Sequence, residues 1–153
     1  MKKTVILVVL LFISLLLVTS SAAAHPANFT AHMSAAPGVD SNGQGQTKFQ
    51  LDGNELSFIM PVSKLNGDTL AAHIHFSQDP GGNGPPVISL CGSFGPPPIP
   101  VADCGGPGHP AKGTITLSDT QLNTLMDAIA TNRAYVNVHT TAVPPGEIRG
   151  QIK

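Results

Sequence analysis

Along most of the chain, apolar and polar residues alternate with a two-residue period, the mark of strands with one buried face. Phe29 to Met33, Phe49 to Leu51 and Leu56 to Val62 read as three successive strands. Gly38 to Gly45 separates the first two, and Asp52-Gly53-Asn54 is a tight turn that makes a hairpin of the second and third. A fourth strand covers Thr69 to Phe76, a fifth Pro86 to Leu90 and a sixth Gly113 to Leu117. The period then changes. Leu122, Leu125, Met126 and Ile129 recur at the spacing of one helix face, with Ser118 as N-cap and Gln121 as its capping-box partner, which predicts a helix from Ser118 to about Ala130. Two last strands, Tyr135 to Thr140 and Glu147 to Ile152, join through a turn containing Pro144-Pro145-Gly146. The Gly- and Pro-rich stretch from Asp79 to Pro110 reads as a long decorated loop with one embedded strand, and no internal repeat is present. Strands in succession with one late helix predict an all-β fold, an antiparallel immunoglobulin-like sandwich or Greek-key barrel with one short helix, rather than βαβ units.

The N-terminus departs from this pattern. Lys2 and Lys3 form a short positive region, Val5 to Val18 is almost unbroken apolar sequence, and Ala22-Ala23-Ala24 supplies small residues for a signal peptidase. The run stops at Thr19-Ser20-Ser21, short of the roughly 20 apolar residues a spanning helix needs. Residues 1–24 are therefore expected to be a cleaved signal peptide, leaving one domain over residues 25–153, secreted or periplasmic and free of the membrane. Cleavage after Ala24 makes His25 the new terminus; cuts after Ala22 or Ala23 satisfy the same rule. No cysteine lies near the cleavage region to carry a lipid.

Removing 24 of the 153 residues leaves 129, enough for a single core that needs neither metal nor oligomerisation. With Lys2 and Lys3 gone, 6 basic side chains face 9 acidic ones. That mildly acidic balance, without a basic stripe or tail, excludes a phosphate-backbone binder such as a nucleic-acid protein. Cys91 and Cys104 are the only cysteines, and in an oxidising compartment a lone pair is most simply a disulfide. The loop between them has no regular pattern, and closing it stabilises by about 3 kcal/mol in the chain-entropy picture. They are not in the Cys-x-x-Cys spacing of redox-active thiols.

The candidate chemistry lies in the histidines. On a strand, residues two apart share a face, so His73 and His75 point one way while Ala72, Ile74 and Phe76 point the other. His139 likewise shares a face with Asn137 and Tyr135, opposite Val136 and Val138. If the aliphatic positions fill the core, all three histidines leave it, and if the two strands are neighbours the imidazoles converge as ligands for copper or zinc. His109 or His32 is a candidate fourth ligand. The competing reading is of histidines on an edge strand, hydrogen-bonded to neighbours such as Asn137 or Asp79 and setting the sheet register. Glu147 and Arg149 share a face of the last strand with Gln151 and read as a solvated or cross-strand ion pair rather than as a catalytic acid. No nucleophile motif, phosphate loop or carboxylate pair is present. Asn28-Phe29-Thr30 is a glycosylation sequon, relevant only to a eukaryotic secretory route, whereas the signal peptide looks bacterial.

Ala72-His73-Ile74-His75, Gly82-Asn83-Gly84-Pro85-Pro86-Val87, Tyr135-Val136-Asn137-Val138-His139-Thr140 and Gly146-Glu147-Ile148-Arg149-Gly150-Gln151-Ile152, in this order, resemble the CHRD domain, the module named after chordin. The resemblance runs from about Asn28 to Lys153. It implies an extracellular β-sandwich in which Asn137, Glu147 and Arg149 belong to the structural motif, and it implies no defined molecular activity. The chain departs from the usual pattern at Pro144-Pro145-Gly146, where two glycines normally precede the glutamate, and in its cysteine-bearing insertion. The His-x-His strand is also similar, over a short stretch, to the copper strand of copper-zinc superoxide dismutases, a pattern that needs further histidines and an aspartate. Only His109, His32 and His25 remain to supply them.

Three classes of function follow. One is an exported, non-enzymatic module for an extracellular protein or polymer partner; another is a transition-metal binder centred on His73, His75 and His139. The third, an oxidoreductase on the same metal, demands in addition an open coordination position and a channel.

Overall fold

The computed structural model describes residues 26–153, so the signal peptide expected over residues 1–24 and the terminus His25 lie outside the described residues. In chain order the elements are β1 (Ala27–Ala35), β2 (Gln44–Asp52), β3 (Glu55–Met60), β4 (Val62–Ser63), β5 (Thr69–Phe76), β6 (Pro86–Gly92), β7 (Gly105–Gly106), β8 (His109–Thr116), α1 (Asp119–Ala130), β9 (Ala134–Thr140) and β10 (Ile148–Gln151). Every strand pair is antiparallel, so the all-β class with one short helix is what forms. Helix α1 starts at the predicted box: the Gln121 N–H donates to Ser118 Oγ, and the Gln121 side chain accepts from the Ser118 N–H. No helix among the described residues is long and apolar enough to cross a membrane.

Several strands exceed their predicted bounds for identifiable reasons. β2 begins at Gln44 rather than Phe49 because a polar residue, Thr47, occupies an inward position and is fully buried there, which hides the alternation. The third predicted strand is interrupted at Pro61, which has no N–H for the ladder, and resumes as β4 on β2 in the same register. The segment read as a loop to Pro110 contains β7, and β8 begins at His109 rather than Gly113.

The strands form one path, β6-β5-β9-β10-β1-β2-β3-β8-β7, with β4 at the side of β2. Strand β1 is the fold line: Ala27 to Met33 pair with β2, while Ser34 and Ala35 pair with Arg149 and Ile148 of β10. The path curls about β1 so that its two halves share one core, to which Met33, Phe49, Leu56, Met60, Ile74, Leu90, Val136, Val138 and Ile148 contribute. Each such side chain contributes roughly 1.5–3 kcal/mol on burial. The curl stays open, a half-barrel rather than a closed barrel. Its ends are tied covalently: Cys91 in β6 is bonded to Cys104, just before β7, as the cysteine pairing predicted.

Candidate metal centre

Strands β5 and β9 are neighbours, which brings the three histidines together. Their register sets His73 opposite Asn137, His75 opposite Tyr135 and His139 opposite Ala71. The ring centroids lie 4.9 Å (His73 to His139), 5.8 Å (His75 to His139) and 5.9 Å (His73 to His75) apart. One ligating nitrogen from each ring lies within 4.8 Å of the others. As the face argument required, they leave the aliphatic core; they do not reach the surface, being 1%, 6% and 7% exposed for His73, His75 and His139. β5 is thus no edge strand, since β6 pairs on its other side with register shifts between Ala72 and His73 and between Ile74 and His75. Loops around Gly84, Phe94 and Pro144 cover the face that alternation left open.

Those loops also fix the imidazoles. His73 Nε2 donates to Phe94 O, His75 Nδ1 to Gly84 O and His139 Nδ1 to Pro144 O, each at 2.8 Å. A carbonyl oxygen only accepts, so these nitrogens carry the protons, and a neutral imidazole has only one. The lone pairs therefore fall on His73 Nδ1, His75 Nε2 and His139 Nε2. The first and last of these are 3.1 Å apart, and His75 Nε2 is buried without a partner. Burial lowers the pKa of all three, that of His75 to about 4, against the raising effect of the carbonyl bonds. For His75 the charges of His139, His73 and Arg149 lower it further. Two neutral acceptors thus face each other at 3.1 Å, with a third, unpartnered, on the neighbouring His75 ring, and the facing lone pairs repel unless a cation lies between them.

The proposed fourth ligands do not join them. His109 is on the exposed start of β8 with Nε2 3.0 Å from Asp103 Oδ2, and His32 projects from β1 beside Gln46 Nε2 at 3.3 Å. Both lie on other parts of the curled sheet, and the group that converges holds His73, His75 and His139 alone among the described residues. Asn137 is buried beside the histidines, its Nδ2 donating to Pro145 O (3.2 Å) and 3.5 Å from His139 Nε2. Asp79 is exposed, and the three histidines bond to the carbonyls of Phe94, Gly84 and Pro144 rather than to its carboxylate.

The ion pair expected between Glu147 and Arg149 is not formed. Glu147 lies at a bend just ahead of β10, outside the extended backbone on which alternation holds, and its carboxylate is fully buried. Oε1 accepts from Ser41 Oγ (2.5 Å) and the Asn66 N–H (2.7 Å), and Oε2 from Thr140 Oγ1 (2.6 Å). Burial pushes this carboxyl up, but the bonds from Ser41, Thr140 and the Asn66 and Gly67 N–H groups outweigh it and hold the pKa below the ordinary value. Arg149 instead lies over the Tyr135 ring, 3.7 Å from its centroid, on the histidine side of the sheet.

Four further residues build the site, of which Phe94 and Gly95 carry no mark in the sequence while Tyr135 and Gly146 read only as a strand and a turn position. Tyr135 stacks on His75 with centroids 5.0 Å apart, and its hydroxyl donates to Gly84 O. Phe94 meets His73 and His139 edge-on. Gly95, at φ +127°, allows the covering loop to touch the site, since a Cβ there would fall 2.2 Å from His73 Nε2. Gly146 does the same for Asn137, with 2.3 Å to its amide atoms. The glycines and prolines beside the histidines were the available signal; the backbone carbonyls carry none, because every residue has one.

The molecule is thus a β-rich, disulfide-tied domain with a three-histidine cluster under its loops. The CHRD domain model matches residues 27–152, and the chain belongs to that family. No curated protein and no solved structure matches it, so no comparison shows a likeness to copper-zinc superoxide dismutase.

Proposed function

We propose that this chain is an exported CHRD-domain binding module that holds a transition-metal ion, copper or zinc, on His73, His75 and His139, and works outside the cell on a protein or polymer partner. One observation carries the metal reading: three clustered, buried imidazoles have one N–H group each committed to a backbone carbonyl, which leaves the other nitrogen of each with a free lone pair. Backbone carbonyls orienting histidines in this way are the usual outer support of a metal site. A proton would satisfy one pair of nitrogens and leave a charge buried; a divalent ion satisfies all three. The 3.1 Å between His73 Nδ1 and His139 Nε2 is close to the separation of two nitrogens each about 2.0–2.1 Å from one tetrahedral metal. Export is supported by the disulfide, which belongs to oxidising compartments.

Titration calorimetry of the wild type and of a His73→Ala, His75→Ala double variant with Cu(II) and Zn(II) tests the reading. The wild type is expected to bind both, Cu(II) more tightly in accord with the general affinity order. The double variant is expected to lose at least about a hundredfold, since two of three ligands are gone. Equal affinity in both proteins would leave a metal-free interaction module.

A further inference from the structure

Beside the cluster lies a cavity of about 310 Å³, lined among others by His75, Tyr135, Asn137, Asn83, Gly84 and Arg149. Three features give it a chemical preference. Arg149 is a half-buried cation held rigidly, its guanidinium stacked on Tyr135 and donating to Asn83 Oδ1 and Gly82 O. Both of those acceptors are neutral, and among the described residues no carboxylate forms an ion pair with it. Two of the five guanidinium donors are so used, leaving others for a ligand. At the other wall, Asn137 Oδ1 is a buried acceptor without a donor, whereas the unpaired His75 Nε2 is turned to the metal in the reading above. A buried, unpaired acceptor costs about 1–3 kcal/mol, and an uncompensated cation more. The cavity therefore offers positive charge and free donors at the arginine and an acceptor without a donor at the asparagine.

We propose that this cavity binds a small carboxylate bearing a neighbouring hydroxyl or amine, with its carboxylate on Arg149, its donor on Asn137 Oδ1 and its edge toward the metal held by the histidines. The assignment rests on the metal reading above. Guanidinium and carboxylate match as a two-pronged pair. At roughly 30 Å³ per water the space equals about ten waters, ample for a hydroxy acid of a few non-hydrogen atoms. The ligand's size is set by the turns carrying Gly84 and Gly146, and its sign of charge by Arg149.

The test uses the Cu(II)-loaded wild type, titrated with glycolate and with acetate while the visible copper band is followed. Glycolate is expected to shift the band saturably and to bind about five- to tenfold more tightly than acetate, which lacks the hydroxyl. Arg149→Gln is expected to weaken glycolate about tenfold or more without lowering copper affinity, because it removes a positive charge near a cation. A band unmoved by glycolate in a protein that has taken up copper overturns the proposal, as does equal binding of glycolate and acetate. A wild type that takes up no copper defeats the metal reading instead, and the two failures are thereby separate. Should Arg149→Gln not fold, the wild-type comparison of the two acids still decides.

Discussion

Replacing Glu147 with glutamine exchanges one oxygen for NH2 and removes one charge, at a site with no exposure to solvent. The carboxylate joins three segments, the Ser41 loop, the Asn66 loop and the end of β9 at Thr140, which are also tied by Asn66 Nδ2 to Asp40 O and by the paired bonds of Asp68 and Thr141. The amide keeps one oxygen, best placed where Oε1 accepts from both Ser41 and Asn66. Its NH2 then meets the Thr140 hydroxyl, whose oxygen already accepts from the Val143 N–H. Bonds to a charged group are worth about 1.5–3 kcal/mol and neutral ones about 1, so weakening two and misdirecting a third costs about 2–4 kcal/mol. At about 4 °C per kcal/mol for a domain of this size, Tm falls by roughly 8–16 °C. Denaturant unfolding at pH 7 checks this, with unchanged m as the sign that the variant folds alike. The pH dependence adds a second reading. Because the folded pKa lies below the ordinary 4.5, this stabilisation is present above that value and is lost as pH falls through the folded pKa. The gap between wild type and variant should therefore narrow under acid. A loss below about 1 kcal/mol at pH 7, or a gap constant into strong acid, would refute the reasoning.

The histidine cluster predicts a separate, milder pH effect in metal-free protein. His73, His75 and His139 have folded pKa values below 6.5, so their contribution is complete above pH 6.5 and is lost as pH falls, for His75 down to about 4. His75 alone should cost about 1–2 kcal/mol between pH 7.5 and pH 5, measured by denaturant titration with a chelator present, and His75→Gln should flatten that slope. The disulfide predicts an effect at a distance. The loop it closes supplies the Phe94 carbonyl that orients His73, so a Cys91→Ser, Cys104→Ser variant should lose about 3 kcal/mol by unfolding and about tenfold in metal affinity by calorimetry. Full metal affinity without the bridge would show that the loop needs no covalent tie to seat Phe94.

What sequence alone determined about this protein is what depends on neighbours along the chain. Period-two alternation placed the strands, the Ser118 and Gln121 box placed α1, and the shared face of His73 and His75 separated them from Ile74 and its aliphatic neighbours. The lone cysteine pair left a single disulfide to form. What depends on contact between distant segments was decided only by the tertiary structure. That β5 pairs with β9 turns two short histidine motifs into one cluster, and nothing local to either strand encodes that pairing. Loops with no periodicity bury the cluster and lend it carbonyls common to every residue, so the face that alternation left open to solvent became a second interior. His109 and His32 match the ligand type but not the place, since the curl of the sheet sets them on other strands. Glu147 and Arg149 part company because Glu147 sits at a bend ahead of β10, and alternation is a rule that holds only while the backbone stays extended.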